Sequence, residues 1–391
     1  MTSAAIAGLG MTDIGNVYGR TAADLAADAV RRAVADAGLP MAELDGLLVS
    51  SGMSRSDRVD LSLARDLGLT ELRLLVEMNA FGASAGAMVS YAAAAVAAGA
   101  ATTVACVFAD APLKEGRSSG AAYASKGRRP VAGFRGLRTS AGAVSANVHY
   151  ALAARRHMTT YGTTSEQLGA IAVAQRAWAA MNPLAQRREP MTLAEHQASP
   201  WVADPLRRLD CCLVSNGGVA VVVTTAERAS TLAHPPVHLL GWAQGHHAAP
   251  MERGSSFGLR TGAATAGASA MRMAGVEPAD IDLVELYDCY TFTVLITLED
   301  YGFCPKGEGG SFVADGRLAP GGALPCNTGG GQLSAYYLWG MTPLSEAIAQ
   351  IRGEAGERQV DRTDVVLVSG NGGVLEHHST LILSPHARNG S

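Results

Sequence analysis

The sequence predicts an α/β protein in which helices alternate with apolar strands, and three observations support this prediction. Of its 391 residues, 48% are hydrophobic and 17% are charged, which excludes intrinsic disorder and indicates a large buried core. Ala, Leu and Val recur at helical spacing over residues 22–38, and the apolar run LDGLLVS follows. Residues 263–287 repeat that order. Such alternation is typical of parallel sheets covered by helices on both faces.

The repeat extends over most of the chain. Four pairs of positions align at one constant offset, namely Gly38 with Gly275, Leu44 with Ile281, Asp45 with Asp282, and Leu47 with Val284. A small-residue helix predicted at 83–98 leads into an apolar strand at 102–108, and a helix at 342–351 leads into a strand at 364–370. We therefore predict two duplicated halves, 1–235 and 236–391, packed about a pseudo-twofold axis.

Residues 110–200 interrupt the alternation. The segment 115–136 is polar, basic and rich in glycine, which is typical of a loop, and a helix over 165–181 follows. The pair Thr164 and Gln167 has the spacing of a capping box that opens this helix. Long insertions in compact domains are usually functional or disordered. The sequence leaves two interpretations of this segment open: a lid over the substrate, or a loop that contacts a second subunit.

Composition excludes several classes of function. The formal charge is −4, from 31 basic and 35 acidic residues, so no basic surplus marks a nucleic-acid surface. The most apolar stretch, 83–101, consists mostly of Ala and Gly and is a poor membrane span. Six cysteines at no CxxC spacing and no visible secretory signal favour a cytoplasmic protein without a disulfide framework or a zinc site. No glycine-rich nucleotide motif follows a strand.

Four sequence blocks carry a family resemblance. Residues 160–223 contain TYGTTSEQLGAIAV, NPLAQRREPMT and SPWVADPLRRLDCCLVSNGGVAVVV, and the C-terminal half contains VELYDCYTFTVLITLEDYGFCPKGEGG. These blocks resemble the thiolase superfamily, in its sterol-carrier-protein-type thiolase and lipid-transfer-protein branch. The resemblance implies duplicated βαβαβαββ halves in a five-layered αβαβα arrangement. It also implies at least a homodimer, with the active site between the halves.

The chain departs from the family at the residues of thiolase chemistry. Thiolases use a nucleophilic cysteine, a histidine and a second cysteine. Here Gly82 stands at the nucleophile position, Tyr337 at the histidine position and Ser369 at the second cysteine, while Tyr287 replaces an asparagine or histidine. A glycine excludes covalent acyl-enzyme chemistry at that position. Ser84 could be a substitute nucleophile, but it needs an adjacent base, and a small residue at a helix start is the favoured interpretation.

Two tyrosines without a nucleophile suit proton transfer. A phenol has an ordinary pKa near 10 and can act as a proton donor, or as a base if that pKa falls. We therefore predict that Tyr287 and Tyr337 are the catalytic acid and base of a retro-aldol cleavage of a β-hydroxyacyl-CoA. Tyr336 and Tyr290 would take their places if the alignment slipped by one residue. Backbone N–H groups near Gly372 and Gly373 are candidates for an oxyanion hole.

Within the superfamily, the resemblance is to the steroid side-chain-cleaving aldolases that lack the catalytic cysteine. It implies a 17-hydroxy steroid side-chain CoA thioester as substrate, with a ketone and a short acyl-CoA such as propionyl-CoA as products. It also implies a small OB-fold, zinc-ribbon partner in an α2β2 complex, with no cofactor or metal in this chain. Lys126, Arg128 and Arg129 are candidates for binding the CoA phosphates, or belong to a solvated loop.

Two alternatives remain open from the sequence. The first is a thiolase-type acyltransferase with a displaced thiol, for which Cys289 in the YDCY motif is the best candidate. The second is a non-catalytic scaffold that binds acyl-CoA or lipid, in which both tyrosines are packing residues.

Overall fold

The computed structural model of the chain describes residues 3–52, 59–123, 133, 136–247 and 256–387. Its strands are β1 (Ala4–Met11), β2 (Gly46–Ser51), β3 (Leu74–Glu77), β4 (Thr103–Asp110), β5 (Trp201–Ala203), β6 (Leu206–Arg207), β7 (Gly217–Thr225), β8 (Val237–His246), β9 (Leu283–Glu285), β10 (Val366–Gly372) and β11 (His377–Ser384). Its α-helices are α1 (Ala22–Asp36), α2 (Val59–Asp66), α3 (Ser84–Ala97), α4 (Gly136–Ser140), α5 (Ala146–Tyr161), α6 (Ser165–Ala180), α7 (Leu193–Ala198), α8 (Ala226–Ala229), α9 (Ala263–Ala274), α10 (Thr291–Tyr301), α11 (Gly309–Ala314) and α12 (Met341–Ile351).

The sheet topology shows the duplicated plan. Strands follow the order β3-β2-β4-β7-β1 in the first half and β8-β11-β10-β9 in the second, and the halves join where Ala5 and Ile6 pair with His238 and Val237. The order β2-β4-β7-β1 matches β9-β10-β11-β8, and each series contains one parallel and two antiparallel pairings. The division at residue 235 stays a prediction.

The expectation of parallel sheets is wrong, because the sheet is mixed. In the second half, β10 turns back into β11 through only four residues, 373–376, and the two strands pair antiparallel. A parallel pair needs a crossover of about a dozen residues or more, usually a helix, and no helix lies in this turn. In the first half, β7 arrives after the long excursion from β4 and also pairs antiparallel with it.

Five layers arise because helices cover the strands and also separate the halves. Helix α1 packs on β1 and β7, and α9 packs on β8 and β11. Glycines in the strands allow these close contacts, since a Cβ on Gly8 would lie 2.1 Å from the Ala33 carbonyl oxygen, and one on Gly241 would lie 2.2 Å from that of Ala270. Helix α3 contacts β4 and β7 as well as β10 and β11, so it lies between the halves.

Equivalent residues of the two halves make equivalent contacts. The Asp45 carboxylate accepts hydrogen bonds from the N–H of Thr102 at 2.9 Å and of Thr103 at 2.8 Å, where β4 begins. Asp282 accepts one from Val365 N–H at 3.0 Å, where β10 begins. Each aspartate ties the start of its strand to the start of the neighbouring one, so two positions that align in sequence make the same kind of contact.

The excursion between β4 and β7 contains α4 to α7 and the β5–β6 hairpin. The capping box at Thr164 and Gln167 is present, which confirms the predicted start of α6. Helix α6 packs against α10 and α11, so the excursion reaches across to the second half. The loop predicted at 115–136 lies partly outside the described residues, and its role as a lid stays a prediction.

Candidate active site

Four backbone segments meet at the start of α3, where glycines permit direct contact. They are the turn 80–83, the loop 286–290 after β9, the glycine-rich segment 327–340, and the end of β10. A Cβ on Gly340 would lie 2.4 Å from the Gly82 carbonyl oxygen, and one on Gly370 would lie 2.7 Å from the same atom. Since real Cβ atoms do not approach so closely, these positions require glycine.

Gly82 makes room for a tyrosine ring. A Cβ at Gly82 would lie 2.2 Å from both Cε2 and Cζ of Tyr287, and 2.3 Å from the carbonyl oxygen of Asn371. The preceding residue, Phe81, has a φ of 51°, a left-handed conformation that is uncommon for a residue with a side chain. The Tyr287 ring therefore fills the volume that a side chain at position 82 would need.

The two predicted tyrosines face each other. The hydroxyl oxygens of Tyr287 and Tyr337 lie 3.2 Å apart, within hydrogen-bond distance. Serine hydroxyls fix both backbones, because Tyr287 N–H donates to Ser369 Oγ at 3.0 Å and Tyr337 N–H donates to Ser215 Oγ at 2.9 Å. Tyr287 is buried, whereas Tyr337 keeps a small exposed fraction.

Asp288 ties together the loops that carry the pair. Its carboxylate accepts hydrogen bonds from the N–H of Gln332 at 2.8 Å and of Leu333 at 3.2 Å. Both donors belong to a π-helical turn over Gly331–Ala335, directly before Tyr336 and Tyr337. Burial raises the pKa of Asp288 to about 7, although these backbone hydrogen bonds oppose the shift. The aspartate thus fixes one tyrosine loop relative to the other.

Both phenols are neutral at physiological pH. Burial raises the pKa of Tyr287 well above its ordinary value, and the neighbouring Tyr337 adds to that shift. Burial also raises the pKa of Tyr337, followed by the influence of Cys212 and Cys289. A buried phenolate would cost several kilocalories per mole to form. Both hydroxyl groups are therefore protonated and can donate a hydrogen bond.

The alternative tyrosines have other partners. The Tyr336 hydroxyl lies 2.8 Å from Ser345 Oγ, and the Tyr290 hydroxyl donates to Asn147 Oδ1 at 2.5 Å. Ser84 also has a local role, since its Oγ accepts a hydrogen bond from Ala80 N–H at 2.8 Å and so closes the turn before α3. The alignment that selects Tyr287 and Tyr337, without a one-residue shift, is therefore the one that brings two phenols together.

Cys289 has the surroundings of an inert thiol. It is 5% exposed and hydrogen-bonds with the Tyr150 hydroxyl, and burial raises its pKa well above the ordinary value for a thiol. A nucleophilic cysteine needs the opposite shift. The three fully buried imidazoles bond elsewhere, His157 to Glu299, His196 to Asp210 and His378 to Tyr301.

Of the remaining predicted residues, the structure describes the two glycines but not the three basic residues. Gly372 lies beside the turn 80–83, because its Cβ would be 1.9 Å from the Ala80 carbonyl oxygen. The Gly373 carbonyl accepts a hydrogen bond from the Tyr150 hydroxyl at 2.9 Å. Gly372 thus lies against the turn before α3 and Gly373 beside Tyr150, and their oxyanion role stays a prediction. The candidate CoA-binding residues Lys126, Arg128 and Arg129 lie outside the described residues.

Sequence reasoning missed three residues that build the site. Ser215 and Tyr150 lie more than a hundred residues from the groups they bond, and nothing in the sequence indicates those contacts. For Asp288, the sequence did contain a signal that could have revealed its role. It is adjacent to Tyr287 in the YDCY motif, and a carboxylate beside a predicted catalytic group suggests a positioning role.

Comparison with known proteins identifies the family. The model of the thiolase C-terminal domain-like family matches residues 243–385. A steroid side-chain-cleaving aldolase from Thermomonospora curvata is 38% identical and covers 95% of both chains. The chain belongs to the thiolase superfamily, in the branch of that aldolase. The relationship confirms the predicted family and the thiolase-like α/β fold.

Two further relatives belong to the same branch. A 17-hydroxy-3-oxo-4-pregnene-20-carboxyl-CoA lyase from Mycobacterium tuberculosis is 36% identical, covering 94% of this chain and 96% of its own length. The solved structure titled "Ltp2-ChsH2(DUF35) aldolase" superimposes with a TM-score of 0.87 at 38% identity, covering 98% of both chains. Both relatives match this chain over almost its whole length.

The described residues show neither a membrane span nor a metal cluster. Within the described ranges, no helix combines the length and apolar character needed to cross a bilayer. Over the same ranges, no three His, Cys, Asp or Glu side chains group together as metal ligands would.

Proposed function

We propose that this aldolase cleaves the side chain of a steroid CoA thioester by a retro-aldol reaction in which Tyr287 and Tyr337 transfer the protons. The supporting observation is the pair of hydroxyl oxygens 3.2 Å apart, placed where Gly82 leaves no nucleophile. The enzyme is a carbon–carbon lyase of the thiolase fold, and its site contains groups for proton transfer but none for acyl transfer.

The reaction needs one proton removed and one supplied. One phenol accepts the proton of the β-hydroxyl group and passes its own proton to the second phenol, which gives a proton to Cα, so that both phenols end neutral. The Cα–Cβ bond breaks, its electron pair forms a thioester enolate, and the β-carbon becomes a ketone. The second phenol then protonates Cα. General acid–base catalysis of this kind contributes about 10²- to 10⁴-fold to a rate.

The proposed substrate is taken from the names of the related enzymes. A 17-hydroxy steroid with a three-carbon side-chain thioester would give a 17-ketosteroid and propionyl-CoA. Backbone N–H groups near Gly372 and Gly373 would stabilise the enolate oxygen, and each such donor is worth roughly 3 kcal/mol. Lys126, Arg128 and Arg129 would bind the CoA phosphates.

A second protein belongs to this proposal. The related solved structure is titled as an aldolase with a DUF35 component. We expect a small OB-fold, zinc-ribbon protein that associates with acyl-CoA to bind this chain in an α2β2 complex. The zinc would belong to that partner. The expected cytoplasmic location is part of the same proposal.

The decisive experiment removes one hydroxyl group at a time. Tyr287→Phe and Tyr337→Phe should each lower kcat for ketone release by about 100-fold or more, because each loses a proton carrier and keeps its ring. Tyr336→Phe is the matched control, since its hydroxyl bonds to Ser345 and should leave kcat within about threefold. The substrates would be β-hydroxyacyl-CoA thioesters of graded bulk, assayed with the full chain and its partner.

Other outcomes would support the two alternatives. If both phenylalanine variants bound acyl-CoA and functioned normally, the chain would be a non-catalytic scaffold. If iodoacetamide or Cys289→Ala abolished activity, the reaction would use a thiol after all. We expect neither, because the Cys289 thiol is buried and its pKa is raised.

A further inference from the structure

Gln186, in the excursion between α6 and α7, lies against the segment that carries Tyr337. Two successive backbone N–H groups donate to the π-helical turn before that tyrosine. Gln186 N–H donates to the Ala335 carbonyl oxygen at 3.0 Å, and Arg187 N–H donates to that of Ser334 at 2.9 Å. The excursion and the tyrosine segment are therefore joined backbone to backbone.

The side-chain amide of Gln186 adds two contacts at the same place. Its Nε2 donates to Ser215 Oγ at 2.6 Å and to the Ala335 carbonyl oxygen at 3.3 Å. Because a carbonyl oxygen can only accept, the nitrogen end of the amide must face Ala335. A glycine packs against this side chain, since a Cβ at Gly15 would lie 3.2 Å from its Cγ, Cδ and Oε1. The amide is therefore held in one orientation.

Ser215 transmits this constraint to Tyr337. It is fully buried, and its Oγ accepts a hydrogen bond from Tyr337 N–H at 2.9 Å as well as the one from Gln186. A hydroxyl oxygen has two acceptor lone pairs, so the two donors together fix its direction. The adjacent backbone is fixed too, because Asn216 and Gly15 exchange two backbone hydrogen bonds, both of 2.9 Å.

The proposed chemistry depends on the distance that this arrangement sets. The two tyrosine hydroxyl oxygens lie 3.2 Å apart, near the upper end of hydrogen-bond lengths. A proton passes between them only at hydrogen-bond distance. A misplacement of about 1 Å at a catalytic group can cost about 100-fold in rate. Small displacements of Tyr337 should therefore be costly.

We infer that Gln186 is a positioning residue for Tyr337, acting through Ser215 to hold the two tyrosine hydroxyls at proton-transfer distance. This inference rests on the proposed function. Asp288 holds the π-helical turn from the side of Tyr287, and Gln186 holds it from the side of the excursion. The excursion thus contributes to the tyrosine pair itself.

The test removes the amide donors and keeps the length of the side chain. Gln186→Met loses both N–H groups, so the Ser215 hydroxyl can turn away from Tyr337. We expect kcat for ketone release, measured with the full chain and its partner, to fall at least about tenfold, with KM within about twofold. Gln197→Met is the matched control, since its Nε2 donates to Ser165 Oγ at 3.2 Å within the same excursion. Its kcat should stay within about threefold.

A double variant separates positioning from two unrelated defects. Ser215→Ala removes the oxygen that joins Gln186 to Tyr337, and it should also lower kcat at least about tenfold. Residues that act through one contact have non-additive effects. The double variant Gln186→Met/Ser215→Ala should therefore lose no more activity than the worse of the two single variants.

Three results would overturn the inference. They are a Gln186→Met enzyme with kcat within about threefold of the wild type, a KM that rises as much as kcat falls, and losses that multiply in the double variant. If Ser215→Ala does not fold, Gln186→Met decides alone, since Gln186 is only half-buried.

Failure of the inference is distinguishable from failure of the proposed function. A wild type that cleaves no β-hydroxyacyl-CoA would refute the proposed function itself. Cleavage that needs the Tyr337 hydroxyl but is indifferent to Gln186 would refute only the positioning role.

Discussion

At the scale of single residues, position 82 shows how an absent side chain supports a function. We expect Gly82→Ala to lower kcat by at least about 100-fold, because its Cβ would lie 2.2 Å from the Tyr287 ring and would displace the hydroxyl from Tyr337. Overpacking of this kind also destabilises a fold by roughly 1–3 kcal/mol. The measurements are ketone release and the thermal midpoint of unfolding.

Gly120→Ala is the matched control for this substitution. No heavy atom lies within 4 Å of the Cβ position at Gly120, so we expect unchanged activity and stability. A Gly82→Ala enzyme with normal kcat would mean that the ring can move aside without loss, and the tyrosine pair would then not need the geometry described above.

The candidate tyrosines could be found from sequence because they occupy motif positions at which the family has other polar groups. The contact between Gly82 and the Tyr287 ring could not be found that way, since it joins residues about 200 positions apart. The sequence shows that a thiol is missing, but only the three-dimensional packing shows what replaces it. The contact of Ser215 with Tyr337 depends in the same way on distant backbone segments.

At the scale of elements, Asp288 links the loop after β9 to the π-helical turn before Tyr337. Its folded pKa of about 7 lies above the ordinary 3.8, so folding favours its protonated form. The stability that this carboxyl contributes is therefore complete below about pH 3.8 and is lost as the pH rises to about 7. The loss is at most about 1.4 kcal/mol per pH unit.

Asp288→Asn should accordingly flatten the fall in unfolding free energy between pH 4 and 7, measured by denaturant titration at several pH values. The asparagine oxygen can still accept a backbone hydrogen bond, so the fold should persist. Asp110 has a pKa raised to about 6 and should leave a residual slope of the same sign. An unchanged slope in Asp288→Asn would show that its carboxyl titrates alike in the folded and unfolded chains.

The sequence predicted which segments form helices and strands, but it did not predict the direction in which neighbouring strands pair. The helices near 83–98 and 342–351 and the strands after them appear close to their predicted bounds, because their apolar spacing is regular. The sheet is mixed because the turn from β10 to β11 is too short for a crossover helix, and because β7 returns from the long excursion antiparallel to β4. Both depend on how the chain returns rather than on the composition of any strand. The aligned aspartates Asp45 and Asp282 were the most informative local signal of duplication.

At the scale of the whole molecule, the family relationship predicts an assembly larger than one chain. Strand β3 ends the sheet, pairs only with β2 among the described strands, and carries the half-buried residues Leu74, Leu75 and Val76. Exposed apolar edge strands favour pairing with another chain. We expect light scattering to give at least twice the 40.2 kDa chain mass for the protein alone. A stable mass of one chain at assay concentration would contradict the predicted homodimer.

The close fit between Gly82 and Tyr287 also constrains how this enzyme could change over evolutionary time. A cysteine at position 82 would force its side chain into the phenol ring, and a smaller residue at position 287 would remove the proposed proton carrier without supplying a nucleophile. We expect either mutation by itself to be harmful, so that only both together could create an acyl-transfer centre. This mutual dependence should make conversion of this lyase into an acyltransferase hard to reach by single steps.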